Sequence, residues 1–440
     1  MSFADKTFSI FTRDIFLFVL NLLTSIVIAR KLGPELLGVW VIIFLIPSYA
    51  EAFGRIKFDL AAVYFIGKNK YSQNEILYHL NFVALVTGLL ITTIMLIFIN
   101  PLNNLLFNGD SDKIILLLAI LPHIILNFLN LNYTYLLIAI EDVKTYNKMV
   151  VIKAIISSGG ASVLLLLFNC GIWSVIVTSV LAVLVSLIYG SYIFNKKIVK
   201  TNLNYKLNKQ LLNDFFNYSH KLYIAGLISF LNNYIMTSIL SVMLNSSKVA
   251  FFNIAKNRAT LLEKIPSAVN VLLYPRVSNS SFEDSSNVSS RAFRIILILC
   301  FCSSIIASFL VKPAILIMYG EPYLPVVLPL LLIIPGVIFN GSTSVFTSYF
   351  TGIGRADIVM KLSIFPLIIQ LILGFILINN LGVIGAALTF TFSMIVFGLI
   401  QIYYFVKISG NSFKVLIPTR EDFVYLRNFI KSKLKNLISN

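Results

Sequence analysis

Acidic side chains are scarce in this 440-residue chain: 18 Asp and Glu stand against 35 Lys and Arg, and charged residues of both signs make up only 12%. An ordinary soluble domain, with about a quarter of its residues charged, is excluded. Cysteine is limited to Cys170, Cys300 and Cys302, all in apolar surroundings. Neither a disulfide framework nor a metal-ligand spacing is present, and the three read as small buried apolar residues. No metal and no cofactor are expected. Catalytic signatures are missing as well: the chain has no phosphate-cradling P-loop, no zincin motif and no nucleophile elbow. Its acids are scattered, without a pair at one membrane depth. No connection is long enough to form the aqueous domain that a membrane glycosyltransferase or polymerase needs for its substrate. The chain is therefore expected not to be an enzyme.

Apolar sequence is plentiful, at 58% of residues. Lys113 to Glu141 brackets 27 uncharged residues, Lys153 to Lys196 brackets 42, and Lys361 to Lys407 brackets 45. A helix crosses the bilayer in about 20 residues, so the last two runs are each a helical hairpin. Their turns are marked by Asn169-Cys170-Gly171 and Asn379-Asn380-Leu381-Gly382. The pattern predicts an all-α polytopic membrane protein with twelve spans, near 14–31, 36–54, 77–99, 114–140, 148–168, 172–194, 220–244, 249–274, 295–318, 324–350, 360–378 and 383–406. The first span lacks the usual cleavage site and is read as retained.

The net charge of +17 raises the question of nucleic acid, but its distribution answers it. Of the 35 Lys and Arg, 25 fall in the termini and even-numbered connections and 5 in the odd-numbered ones. By the positive-inside rule this places both termini in the cytoplasm and makes the charge mostly a matter of topology. No nucleic-acid partner is expected. Four segments follow: a six-helix lobe over 1–195, a cytoplasmic connection over 196–217, a second six-helix lobe over 218–406, and a tail over 407–440. In the tail Phe423, Leu426, Ile430, Leu434 and Leu437 keep helical spacing beside Arg427, Lys431, Lys433 and Lys435. That reads as an interfacial helix on an anionic leaflet, with membrane lipid as partner.

The two lobes read as copies. The sixth and twelfth spans align at an offset of 211, matching Asn169, Gly171, Tyr192, Phe194 and Lys196 to Asn380, Gly382, Tyr403, Phe405 and Lys407. At an offset of 217, His123, Asn127, Asn130 and Thr134 of the fourth span correspond to Asn340, Ser344, Thr347 and Thr351 of the tenth. Each set recurs at i, i+4, i+7 and i+11, one polar stripe along each helix. An even number of spans per copy makes the repeat parallel.

Charge inside the spans is the sharpest clue to function. Lys153, Lys256, Arg258 and Lys264 lie in the fifth and eighth spans, where the only acid is Glu263. A charge at mid-bilayer costs about 3 kcal/mol on insertion scales, so it faces a bundle interior or a wet cavity. Surplus positive charge there points to an anionic cargo. On a helical wheel Asn253, Lys256, Asn257, Thr260, Glu263 and Lys264 share one face, while Arg258 points nearly opposite to Lys256. Pro266 can kink the helix between them. Two readings stand for Lys256, cargo contact or a structural pairing with Glu263, and two for Lys153, cargo contact or snorkelling to headgroups. Arg13 and Arg55 stand at the ends of the first and second spans, as headgroup contacts or as topology anchors. Asp14, Glu263 and His123 are candidates for ion coupling, the His because its unperturbed pKa lies near 6.5.

At this point the chain resembles the Wzx-type flippases of polysaccharide repeat units, in the superfamily that includes MATE multidrug transporters and lipid II flippases. The resemblance is carried by Ile28-Ala29-Arg30-Lys31-Leu32-Gly33-Pro34-Glu35 with Leu37-Gly38, by Phe252-Asn253-Ile254-Ala255 and by Leu273-Tyr274-Pro275-Arg276-Val277-Ser278. It continues in Met318-Tyr319-Gly320, Gly352-Ile353-Gly354-Arg355 and Leu381-Gly382-Val383-Ile384-Gly385-Ala386-Ala387. These motifs are short, but their order spans nearly the whole chain. The resemblance implies a MATE-like bundle of two six-helix lobes, open in turn to each side of a bacterial inner membrane. It implies a cargo of undecaprenyl-diphosphate-linked oligosaccharide, such as an O-antigen or other lipopolysaccharide precursor. A polysaccharide polymerase and a chain-length regulator are the implied protein partners. Related lipid II flippases use cavity arginines in places comparable to Arg13, Arg55 and the Lys256/Arg258 pair. Lysine in such a place keeps the charge but loses the bidentate grip on phosphate.

A MATE-like, cation-coupled drug or metabolite antiporter is the alternative. It predicts intramembrane acids, of which the span interiors carry few beyond Glu263. A non-transporting scaffold of a polysaccharide assembly complex is a third reading. The coupling energy is open between protons, sodium, membrane potential and downhill flux.

Overall fold

The computed structural model describes residues 3–198 and 206–428. Among these the chain is helical throughout, with no β-strand. The first two expected spans run together as Phe3–Gly54, interrupted at Gly33, which takes φ 72° and ψ 174° ahead of Pro34. That backbone conformation is open essentially only to glycine. At 1.5 Å per residue the helix would extend about 78 Å, more than twice the ~30 Å hydrocarbon core, so the kink divides two crossings.

The third to seventh spans are Gln73–Ile97, Ser111–Ala139, Val143–Leu167, Trp173–Ile198 and Lys209–Met243. The ninth to twelfth are Phe282–Met318, Val327–Gly352, Ala356–Leu381 and Val383–Ser409. Ten of the described helices are long and apolar enough to cross a membrane. The kink in the first adds one crossing. The eighth span, too polar to be among the ten, brings the count to twelve. It is built in three pieces: Ser246–Ala259, a 3-10 turn over Thr260–Glu263, and Lys264–Ser278. The cause is Pro266, which lacks an N–H and crowds the carbonyl four residues back, so the helix tightens just ahead of it. Short helices Phe58–Gly67 and Ile99–Phe107 occupy connections.

Large apolar side chains cover the outside, Phe309 at 81% exposure and Leu167 at 72% among them. In a polytopic membrane protein this belt is the surface that lipid covers, since lipid tails solvate it as well as a protein core does.

The chain packs as two compact units, Met1–Phe230 with Asn245–Ala250, and Leu231–Leu244 with Phe251–Asn440. Within the first, Ala61, Ala62, Phe65, Ile76, Leu136, Phe194, Leu211 and Phe215 form a buried cluster. The Phe65 and Phe215 rings stack at 5.3 Å, which fixes the start of the seventh helix to the helix Phe58–Gly67. Gly38 allows the second span to meet residue 246: a Cβ at this position would run into the Ser246 carbonyl. In the second unit the fully buried core includes Phe252, Tyr323, Phe346, Tyr349 and Phe405, with the Phe346 and Phe405 rings 4.5 Å apart.

After the twelfth span the chain folds back as a strap along the ninth. Arg294 holds Asp422 at 2.7 Å and 3.2 Å and donates to the Val415 carbonyl at 2.6 Å, while Asn411 reaches Ser286 at 3.3 Å. Burial raises the Asp422 carboxyl, but bonds from Arg294 and Thr419 outweigh it and hold the group below the usual range. Residues 420–428 are helical, with Phe423 and Arg427 exposed and Leu426 half-buried. The rest of the expected tail helix, including Ile430, Lys431, Lys433, Leu434, Lys435 and Leu437, lies outside the described residues.

Candidate functional site

In the first unit the fifth span turns Lys153 inward. Its ammonium donates to Asn127 Oδ1 on the fourth span at 3.0 Å, and Asn127 Nδ2 donates to Glu51 Oε2 on the second span at 3.0 Å. The amide orientation follows from chemistry: an ammonium has only hydrogens to offer and a carboxylate only lone pairs. Just beyond Lys153 the helix loosens into a π turn over Ile155–Gly159, where Ser157, Ser158, Gly159 and Gly160 give little packing to hold α geometry. His123 lies one turn before Asn127, 6% exposed, with its ring edge-on to Phe44 at 5.5 Å. Its Nδ1 has no hydrogen-bond partner among the described residues.

Arg13 and Arg55, the other candidate cations in this unit, have acids of their own. Arg55 lies 3.6 Å from Asp59, donates to Asn132 Oδ1 at 3.2 Å and sits over the Tyr135 ring. The Arg55 and Asp59 side chains are 9% and 3% exposed. Arg13 holds Asp14 at 2.8 Å and Asn147 at 2.7 Å, with Tyr146 under its guanidinium. The cavity beside Arg55 and Asp59, about 20 Å³, has room for roughly one water and none for a headgroup.

The second unit treats its charges differently. Lys256 is 9% exposed, and its ammonium donates to the backbone carbonyl of Asn233 on the seventh helix. The faces of Tyr234 and Phe390 lie 5.8 Å and 5.4 Å from Nζ, within range of cation–π attraction. Glu263, two turns along the same span, accepts from Asn340 Nδ2 of the tenth span at 3.2 Å. Arg258 is half-buried over the Tyr319 ring at 5.8 Å, on a different side from Lys256, as the helical wheel predicts. Lys264 and Asn257 are exposed, Asn253 and Thr260 half-buried, and Asn257 donates to Asn253 at 2.9 Å.

The two polar stripes are used mostly within their own bundles. Thr134 and Thr351 donate to carbonyls one turn back, at 2.8 Å and 2.6 Å. Ser344 donates to Gly341 at 2.6 Å and accepts from Asn270, and Thr347 accepts from Gln401 at 3.0 Å. Asn130 is 3% exposed. Among the described residues Asn127 and Asn340 hydrogen-bond to ionised side chains.

Sequence reasoning passed over Glu51, although it is the one acid between residues 36 and 54. It stands 212 positions before Glu263, close to the offsets of the two helix alignments. The structure adds a match between the copies: in each unit the second span of the repeat carries a glutamate that accepts from an asparagine on the fourth. Tyr234, Phe390 and the Asn233 carbonyl carried no sequence signal as ligands of a lysine.

A polytopic, all-helical chain of this architecture has the fold of known membrane transporters. A MATE family transporter of the MOP superfamily, solved facing inward, matches with a TM-score of 0.73 at 16% identity, covering 89% of this chain and 94% of that one. The lipid II flippase MurJ matches with a TM-score of 0.72 at 19% identity, covering 97% and 96%. Residues 27–328 match the model of the polysaccharide biosynthesis protein family, and the chain belongs to that family. A Shigella flexneri protein named as an O-antigen transporter is 23% identical over 379 residues, covering 84% of this chain and 89% of that one.

Proposed function

We propose that the protein is a flippase of lipid-linked oligosaccharides, carrying polyprenyl-diphosphate-linked polysaccharide repeat units across a bacterial inner membrane by alternating access. In this reading undecaprenyl diphosphate is the lipid carrier, both termini are cytoplasmic, and the halves 1–195 and 218–406 are the two working lobes. Membership of a polysaccharide biosynthesis family and a transporter fold support the class. The observation that carries the anionic cargo is Lys256, nearly buried in a membrane unit and bonded by a carbonyl and two aromatic faces, with the Glu263 carboxylate acting on it only through space.

The physics of the cargo fits this. Two phosphates and a hydrated glycan lose their water if they enter hydrocarbon, while the polyprenyl tail can stay in lipid. Cationic side chains replace the phosphate hydration, with Lys256 and Arg258 first and Lys153 and Lys264 in support, while Arg13 and Arg55 stay with Asp14 and Asp59. Asn253, Asn257 and Thr260, on the exposed side of the eighth span, are placed to bond sugar hydroxyls. A polymerase and a chain-length regulator are the protein partners expected of such a carrier.

The test is export of surface glycan by cells whose only copy carries Lys256→Ala and Arg258→Ala. Export should be lost while expression and membrane insertion stay normal; undiminished export would sink the assignment. One observation favours a second reading, the cation-coupled antiporter: each unit holds an amide-bound glutamate, Glu51 and Glu263. That reading predicts drug resistance lost on neutralising either acid, with glycan export intact.

A further inference from the structure

We propose that Glu51 is a built-in counter-ion that competes with the anionic cargo for Lys153 and so sets how readily the cargo leaves. The proposal rests on the flippase reading above. Lys153 and Glu51 belong to different helices and are joined through one amide, Asn127, whose two ends serve the ammonium and the carboxylate at 3.0 Å each. Glu51 also acts on Lys153 through space.

The comparison with Asp59 identifies Glu51 as the acid that competes. Asp59 is buried directly against Arg55, so their charges are committed to each other. Glu51 is exposed at its side chain, accepts one amide hydrogen bond, and reaches its lysine only at one remove. A diphosphate arriving at Lys153 can take the ammonium from Asn127 Oδ1 without breaking a direct ion pair. Glu51 then stands close to the bound anion and repels it. When the anion departs, the amide again links the two charges. A transport site has to bind well enough to load and weakly enough to unload, as a conduction site in a channel does. Glu51 supplies the unloading half.

Other charged and titratable groups near the triad do not duplicate this role. His123 on the fourth span adjoins Lys153 and carries no negative charge. Arg55, one turn on from Glu51, is engaged by Asp59 and Asn132, and Tyr135 lies against Arg55. Among the described residues Glu51 is therefore the acid positioned to contest Lys153.

The experiment is a titration of the purified full-length protein in neutral-lipid nanodiscs with farnesyl diphosphate, paired with glycan export in cells. Glu51→Gln should tighten Kd about tenfold, within the 5- to 150-fold span usual for coupled sites. It should at the same time slow export, a split that mere structural damage does not produce. Glu51→Ala should tighten binding in the same direction, and Glu51→Asp, which keeps the charge, should tighten it less than Glu51→Gln. In a Lys153→Met background the effect of Glu51→Gln should vanish. Tightening that persists without Lys153, or an unchanged Kd in correctly folded Glu51→Gln and Glu51→Ala, overturns the counter-ion role and leaves the flippase reading standing. No binding of farnesyl diphosphate by the wild type overturns both.

Discussion

The two units share an amide-held glutamate but bond their inward lysines differently. In the N-terminal unit every named cation has an acid: Arg13 has Asp14, Arg55 has Asp59, and Lys153 has Glu51 through Asn127. In the C-terminal unit Lys256, Arg258 and Lys264 share one span with the single acid Glu263, and Asn340 holds that acid's carboxylate. Lys256 is satisfied by a backbone carbonyl and two rings, groups that stabilise an ammonium without neutralising it. The first unit thus answers Arg13 and Arg55 with carboxylates directly and Lys153 through one amide, while the Lys256 ammonium of the second unit is bonded by neutral groups.

The largest effect that can break this contrast is on stability. Asp59→Ala leaves Arg55 buried beside no carboxylate and should cost about 3–5 kcal/mol, seen as a lowered unfolding midpoint in detergent. Lys256→Met, similar in length and apolar, removes a buried charge and should leave that midpoint unchanged or raised while export falls. If Lys256→Met unfolds the protein and Asp59→Ala does not, the contrast between the carboxylate-paired Arg55 and the carbonyl-bonded Lys256 fails.

A smaller effect sharpens the role of Asn340. Without its amide, Glu263 is released toward Lys256 on the same helix face, and anion binding should weaken about fivefold, within the range of site couplings. Farnesyl diphosphate titration of Asn340→Ala measures this; unchanged affinity would mean that the amide does not hold the two charges apart.

The smallest effect concerns the strap on the ninth span, where an acid and a cation again lock. Because the Asp422 carboxyl is held below its usual range, its contribution is present above the unfolded value near 4 and lost as pH falls through the folded one. Asp422→Asn should cost about 1–2 kcal/mol at neutral pH and speed tryptic cleavage at Arg420 and Arg427 several-fold. As pH falls below about 4 and on through the lower folded value, the wild type and the variant should converge, as judged by an acid-active protease.

The reach of sequence reasoning differed between fold and site. The turn at Gly33-Pro34, the break before Pro266 and the hairpin glycines could be read directly, because each depends on the conformational limits of a few neighbouring residues. The intramembrane lysines were equally plain, since charge within an apolar run is conspicuous. Their partners were not. Asn127 reads as one of four polar residues on a stripe, and only packing separates it, bridging two charges, from Thr134, bonded to its own backbone. Glu51 escaped notice because it lies near the end of its span, where an acid resembles a boundary.

The sequence by itself determined that this chain lives in a membrane, that it crosses many times as helices, and that it resembles a family of polysaccharide biosynthesis. Lipid tails offer no hydrogen bonds, so every crossing must be a long apolar helix, and that cost adds residue by residue along the chain. Tertiary structure alone decided which charges cancel. Glu51 and Asn127 are 76 positions apart in the chain and 3.0 Å apart in the fold, as are Glu263 and Asn340 at 77 positions and 3.2 Å. The strength of a charge in hydrocarbon depends on what touches it, and that is settled by helices packing across the bundle, beyond the reach of any local pattern.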